Sequence, residues 1–221
     1  GIYMEKGVID ANDTTSLTSP DGVKDGMVRI GANLYYNNGT GASDCLGYPV
    51  KAYYKLDEND ERVMMRVKPD RSVREEIIDA ESVDGKTTPS KVYWFEDGRN
   101  TATSMSVASA LTLFYNGKLS SKALTADLLQ PETGEIKLVD TDGDKKAELV
   151  FIESSEIYVV KSVAPAARSI KDKYDKGTLT LDPKDSEIVV KITCDGEEIP
   201  FENIDTGNVC RVTKSEDGKL V

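Results

Sequence analysis

The 221-residue sequence contains no histidine. That removes the side chain that most often acts as a general base near neutral pH, the usual partner of a Ser or Cys nucleophile, and the commonest ligand of transition metals. Cysteine is scarce too. Cys45, Cys194 and Cys210 stand far apart, without the C-x-x-C spacing of a zinc site. They read as small buried hydrophobes, or with Cys194 and Cys210 paired across a hairpin. No apolar run approaches the ~18 residues of a membrane span. The opening GIYMEKGVID lacks the charged-then-apolar pattern of a signal peptide. Gly1 opens the chain and Val221 closes it inside what reads as a strand, so an excised fragment of a larger protein is expected. Basic residues number 28 against 39 acidic ones, and the net charge of −11 comes with no basic run. Such a chain argues against nucleic acid or an anionic membrane as partner and suits cation binding or plain solubility.

What is present is a succession of short stretches in which apolar and polar residues alternate, punctuated by Gly, Asn and Asp. Residues 7–12, 27–36 (MVRIGANLYY), 46–54 (LGYPVKAYY), 62–68 (RVMMRVK), 75–80, 91–95 (KVYWF) and 110–115 (ALTLFY) each read as one strand. So do 177–181, 187–193, 208–214 and 219–221. Turn chemistry lies between them at 19–22 (SPDG), 57–60, Asn116-Gly117, Asp195-Gly196 and Asp217-Gly218. Residues 121–129 are the one helix candidate, with single helical turns at 80–83 and 200–204. This spacing predicts an all-β fold of tandem small antiparallel β-barrels or sandwiches, OB- or SH3-like, with one or two short helices. The stretches 84–90 (DGKTTPS) and 164–169 (APAARS) read as linkers. They divide the chain into an N-terminal β domain (1–85), a central β domain with an acidic hairpin (88–163) and a small C-terminal barrel (168–221).

The chain is organised around 135–163, EIKLVDTDGDKKAELVFIESSEIYVVKSV, which reads as two or three strands. Asp142-Gly143 marks a hairpin turn, because Gly accepts positive φ without a Cβ clash. The same turn carries Asp140, Asp142, Asp144 and Glu148. Calcium takes six to eight oxygens, so alternate residues of a tight loop can face one ion. In that reading the three aspartates and Glu148 supply carboxylates and Lys146 a backbone carbonyl. The stretch resembles the nine-residue calcium loops of FG-GAP and dockerin-like proteins. It departs from them at Lys145, where a Gly is expected, and Lys146 adds a second positive charge. An EF-hand is excluded, since its twelfth position would be Ile152 rather than Glu. The other reading is an acidic, solvated hairpin turn that holds no metal.

GVIDANDTTSL, LGYPVKAYYK, LFYNGK, TGEIKLVDTDGDKKAELVFIESSEIYVV and DGEEIPFENIDTGNVCRVTKSEDGK resemble the repeating β modules of large secreted surface proteins of Gram-positive bacteria. Many of those proteins carry S-layer homology repeats, which this sequence lacks. The resemblance implies β-barrel folds, an extracellular or wall-associated location and no catalytic motif. It makes a non-catalytic structural or interaction module the first expectation. Its partners would be other domains of the parent surface protein, or cell-wall polymers. A carbohydrate-binding module is the second, with Tyr35, Tyr36, Tyr53, Tyr54, Tyr93 and Trp94 as candidate platforms. A carboxylate-dependent enzyme fragment acting on glycosides is the third. Ring exposure separates the first two. A cleft carboxylate with a raised pKa would favour the third.

Overall fold

The structure, a computed structural model, describes residues 1–19, 21–70, 73–181, 190–194, 197–216, 218 and 221. Residues 187–189 and 219–220 of the expected strands 187–193 and 219–221 fall outside the described residues. Pro20, Asp195-Gly196 and Asp217 of the expected turns fall outside them as well.

The chain is all-β. β1 (Tyr3–Ala11), β2 (Met27–Ile30), β3 (Asn33–Tyr36), β4 (Pro49–Leu56) and β5 (Arg62–Pro69) close into a barrel in the order β1-β2-β3-β5-β4. This is the five-stranded Greek-key order of an OB-like barrel. Residues 27–36, expected as one strand, form two. Gly31 takes φ 59°, and the chain folds back so that Met27 pairs with Tyr36. Period-two alternation continues through such a turn, which is why the pattern alone does not reveal it. Ladders were expected to be antiparallel, but β3 runs parallel to β5 through Tyr36 and Val63, the contact that closes the barrel. Ile9, Val28, Ile30, Tyr35, Val50, Ala52 and Met64 fill it.

β6 (Arg74–Asp79), β7 (Lys91–Trp94), β8 (Thr103–Tyr115), β9 (Lys118–Leu119), β10 (Thr133–Asp140), β11 (Lys146–Ala164), β12 (Ser169–Asp172), β13 (Thr178–Thr180) and β16 (Val209–Thr213) make one nine-stranded sheet. β14 (Thr193–Cys194) and β15 (Glu197–Glu198) form a separate ribbon. Cys194 and Cys210 therefore do not face each other across a hairpin: β14 pairs with β15, and β16 with β11. Residues 121–129 are turns, not a helix. Nine residues repay the helix nucleus poorly, and Leu124 and Leu129 are buried from a chain reversal instead. Among the described residues, helical ones are confined to single 3-10 turns at Ala42–Cys45, Ala80–Ser82, Pro165–Ala167 and Phe201–Asn203.

β11 is a single strand of 19 residues, so 135–163 holds two strands, the smaller of the two numbers expected. Its first half runs antiparallel to β10 and parallel to β8. Its second half pairs with β16 and then with β12. Partners change at Ser154–Ser155. There Asn116, in the β8–β9 turn, accepts Ser154 N at 2.7 Å and donates to the carbonyls of Ser154 (3.0 Å) and Lys214 (2.5 Å). Ser155 Oγ meets Thr213 Oγ1 at 2.8 Å.

The two stretches read as linkers are tightly bonded. In 84–90, Thr87 is buried, accepts Tyr93 N at 3.0 Å and donates to Tyr93 O. In 164–169, the 3-10 turn and Arg168 at φ 41° join β11 directly to β12. β6 hydrogen-bonds to β10 in the large sheet. The barrel core also takes in Phe114, Val139 and Leu149 from that sheet. Phe114 and Phe151 stack at 4.6 Å, and Tyr48 on the barrel side donates to Glu75 at the start of β6 at 2.7 Å. Gly47 makes the close approach. It sits at φ 84°, and a Cβ there would lie 2.3 Å from Leu149 Cδ1.

Because the barrel and the sheet share core residues, the two should unfold as one cooperative unit. Leu149→Ala should cost about 2–5 kcal/mol. In urea, Trp94 fluorescence, which reports the sheet, and far-UV circular dichroism should shift together. A barrel transition left at its wild-type midpoint would show that the two fold separately.

Candidate metal centre

The acid-rich turn lies between β10 and β11. It is a five-residue loop, 141–145, rather than a two-residue hairpin. Gly143 takes φ 87° and Lys145 φ 71°. The left-handed conformation falls on a lysine, which costs roughly 1–2 kcal/mol, and something in the loop must hold it there.

That holder is Asp140, the last residue of β10 and only 2% exposed. Its Oδ1 accepts the backbone N–H of Gly143 at 2.6 Å and of Asp142 at 3.2 Å, and its Oδ2 accepts Lys145 N at 2.9 Å. Glu148, two residues into β11, closes the other side: its Oε2 accepts Thr141 N at 2.7 Å and Thr141 Oγ1 at 3.0 Å. Asp142 accepts Asp144 N at 3.0 Å. Asp144 accepts Lys146 N at 2.8 Å and the Lys146 ammonium at 2.9 Å. The hydrogen bond from that lysine draws the Asp144 carboxyl below the usual range, and the lysine rises in return.

The loop thus brings Asp140, Asp142, Asp144 and Glu148 together. One oxygen from each lies within 4.8 Å of the others. Calcium–oxygen distances of 2.3–2.6 Å put opposite ligands up to about 5 Å apart, and magnesium at 2.0–2.1 Å puts them about 4 Å apart. The spread of the four oxygens matches the larger ion better than the smaller one. Lys146, read from the sequence as a carbonyl donor, begins β11 opposite Ser106 and turns its ammonium onto Asp144. A bound cation would have to displace that charge. Thr141 was not singled out in the sequence. The only signal for it was its place inside a D-x-D-x-D run, where a hydroxyl can reach the closing acid.

A second loop is built the same way. Asp172 ends β12 and is 1% exposed. Its oxygens accept Val159 N at 2.9 Å, Tyr174 N at 2.6 Å and Lys176 N at 3.2 Å. Burial pushes this carboxyl up, but the backbone donors outweigh it and the net direction is down. This loop holds one further acid, Asp175, and no carboxylate cluster like that at 141–145 forms here among the described residues, so a buried loop-closing aspartate is not a metal signature in itself.

The other sequence candidates are placed as follows. Tyr35 and Trp94 are buried, and Tyr36, Tyr53, Tyr54 and Tyr93 are half-buried. Tyr35 donates to Glu5 in a short hydrogen bond inside the barrel mouth. Among the described residues, the carboxyls that shift clearly, Asp70, Asp144 and Asp172, all shift down. Compared with known proteins, the chain matches no family model, no curated protein and no solved structure. Its chemistry is read from its own geometry.

Asp140→Ala strands three backbone donors. It should destabilise the protein by about 1–3 kcal/mol in calcium-free buffer, whereas Asp142→Ala should cost far less. A millimolar calcium site would add about 1 kcal/mol at several millimolar calcium, raising the melting temperature of the wild type but not of Asp142→Ala. Equal melting with and without calcium would assign the loop to closure alone.

Asp172 has a folded pKa below its unfolded value, near 3.9. Its contribution is therefore full above that value and lost as pH falls through the lower folded one. Asp172→Asn, whose amide turns a donor toward backbone donors, should lower the melting temperature at neutral pH. It should also flatten the fall in stability between about pH 5 and 3. An unchanged acid profile would remove Asp172 from that role.

Proposed function

We propose that the chain is a non-catalytic structural and interaction module of a secreted or cell-wall-associated bacterial protein. One observation carries this reading. β11 contributes Leu149 to the barrel core, Ala147, Val150 and Ile152 to the sheet core, and Tyr158 and Val160 to the C-terminal core. A strand shared by three cores couples them mechanically, which suits a spacer or docking block between other domains of a surface protein. The absence of histidine and the downward shift of Asp70, Asp144 and Asp172 support this reading over a catalytic one. The aromatic candidates favour this reading over a flat platform of several rings, because Tyr35 and Trp94 are buried and Tyr54 is held by other rings. Tyr54 stacks on Tyr3 at 5.5 Å and meets Tyr35 edge-on at 5.1 Å. A calcium ion in the 141–145 loop would stiffen the start of β11 and fits a calcium-rich exterior.

Antibody raised against the chain should label intact, unpermeabilised cells of the source bacterium. Polysaccharide and ester substrates should show no turnover by the purified chain. Turnover abolished by Glu75→Gln or Glu5→Gln, the two carboxylates hydrogen-bonded to tyrosines, would overturn the non-catalytic reading.

A further inference from the structure

The sequence has no basic run, yet the barrel assembles a basic face. Alternation on β1, β4 and β5 sends every second side chain outward. Lys6 stands directly opposite Lys51, and Lys51 opposite Lys68, so three ammonium groups cross three neighbouring strands in one row. The next row is Met4, Tyr53 and Arg66. A register shift at Tyr53/Tyr54 turns Met65 outward beside Arg66, and both are exposed. Lys55 extends the same face beyond Tyr53.

Like charges directly opposed on a sheet are destabilising, and the outward positions are free of the core. In a chain of net charge −11, nothing in the fold requires cations here. Asp70 relieves part of the repulsion, taking Lys51 at 2.6 Å and Lys6 at 3.3 Å. Lys55, Arg66 and Lys68 make no ion pair among the described residues. The surface is also amphipathic: the half-buried Tyr53 ring lies between the charged rows, flanked by exposed Met4 and Met65.

We propose that this outer face of β1, β4 and β5 binds a linear anionic polysaccharide whose sugar rings carry carboxylates. Carboxylates meet the lysines and Arg66, and the apolar face of a sugar ring lies on Tyr53. A polymer carrying charge alone leaves the ring and the methionines unused. A neutral one leaves the lysine row unrelieved. The assignment rests on an extracellular setting for the module, where such polymers occur. Binding by the purified chain tests the surface separately from the cell-labelling experiment.

The probes are polygalacturonate, its fully methyl-esterified form, and inorganic polyphosphate, each titrated by calorimetry at low and at physiological ionic strength. Polygalacturonate should bind tightest, with affinity falling as salt rises. Arg66→Glu/Lys68→Glu should weaken it by roughly tenfold or more, and Tyr53→Ala by a smaller factor. The control Lys86→Glu/Lys171→Glu, away from this face, should bind as the wild type does. Lys68→Glu should meanwhile raise the melting temperature, since it breaks the lysine row, so lost binding is not lost folding. Three results would overturn the proposal: equal binding of the methyl ester, equal or tighter binding of polyphosphate, or binding unchanged in the double variant.

Discussion

A β-strand presents a row of backbone N–H and C=O groups on each edge, and a buried row must be paired. A strand of 19 residues makes that demand over a long distance, and in β11 no single neighbour meets it. β10 and β8 flank the first half, and β16 and β12 take over in the second. The exchange falls at Ser154–Ser155, where Asn116 supplies the side-chain amide that a strand partner would otherwise provide. The same side chain holds the Lys214 carbonyl, tying the end of β16 to the β8–β9 turn. Because successive residues of β11 point to opposite faces, one continuous strand delivers apolar side chains to all three cores.

The acidic composition acquires a structural meaning in this setting. Asp140 and Asp172 each end a strand and each gather loop N–H groups onto a buried carboxylate. Asp57 does this at the β4–β5 turn for Asn59 and Glu61, and Asn12 does it for Thr14 and Thr15 with its amide oxygen. Acidic side chains accept without donating, so they suit loops whose unsatisfied groups are donors. At 141–145 the device is joined by Asp142, Asp144 and Glu148, and there loop closure coincides with four carboxylates whose oxygens lie within 4.8 Å of one another. Closure explains Asp140. It leaves the crowding of the remaining acids as the feature that favours a cation.

The outer side of β1, β4 and β5 gathers basic residues in a chain of net charge −11. The barrel's inner residues are packed by the same alternation that turns Lys6, Lys51 and Lys68 outward. The β4–β5 turn at one end of the face carries Asp57, Glu58, Asp60 and Glu61, so positive and negative surfaces abut. A module built this way presents a defined polarity to its surroundings while its cores stay shared with the neighbouring sheet.

Alternation and turn chemistry were enough to establish the all-β class, most strand positions and the acidic loop, because both are properties of a few adjacent residues. The hairpin hidden in 27–36 was not legible, since Gly31 leaves the alternation undisturbed. The sequence left open whether 146–163 is one strand or two: Asn116 and Thr213, distant in sequence, satisfy Ser154–Ser155 and keep β11 continuous. The same limit applies to the candidate sites. Four acids at close spacing were visible in the chain, but that Asp140 is buried under loop donors and Lys146 folds onto Asp144 depends on how the loop closes. The lysine row was invisible, because its members lie on three strands and meet only through register. Local patterning thus determined what each segment would become. Which segments became neighbours, and so which charges and cores they share, was decided by long-range backbone pairing.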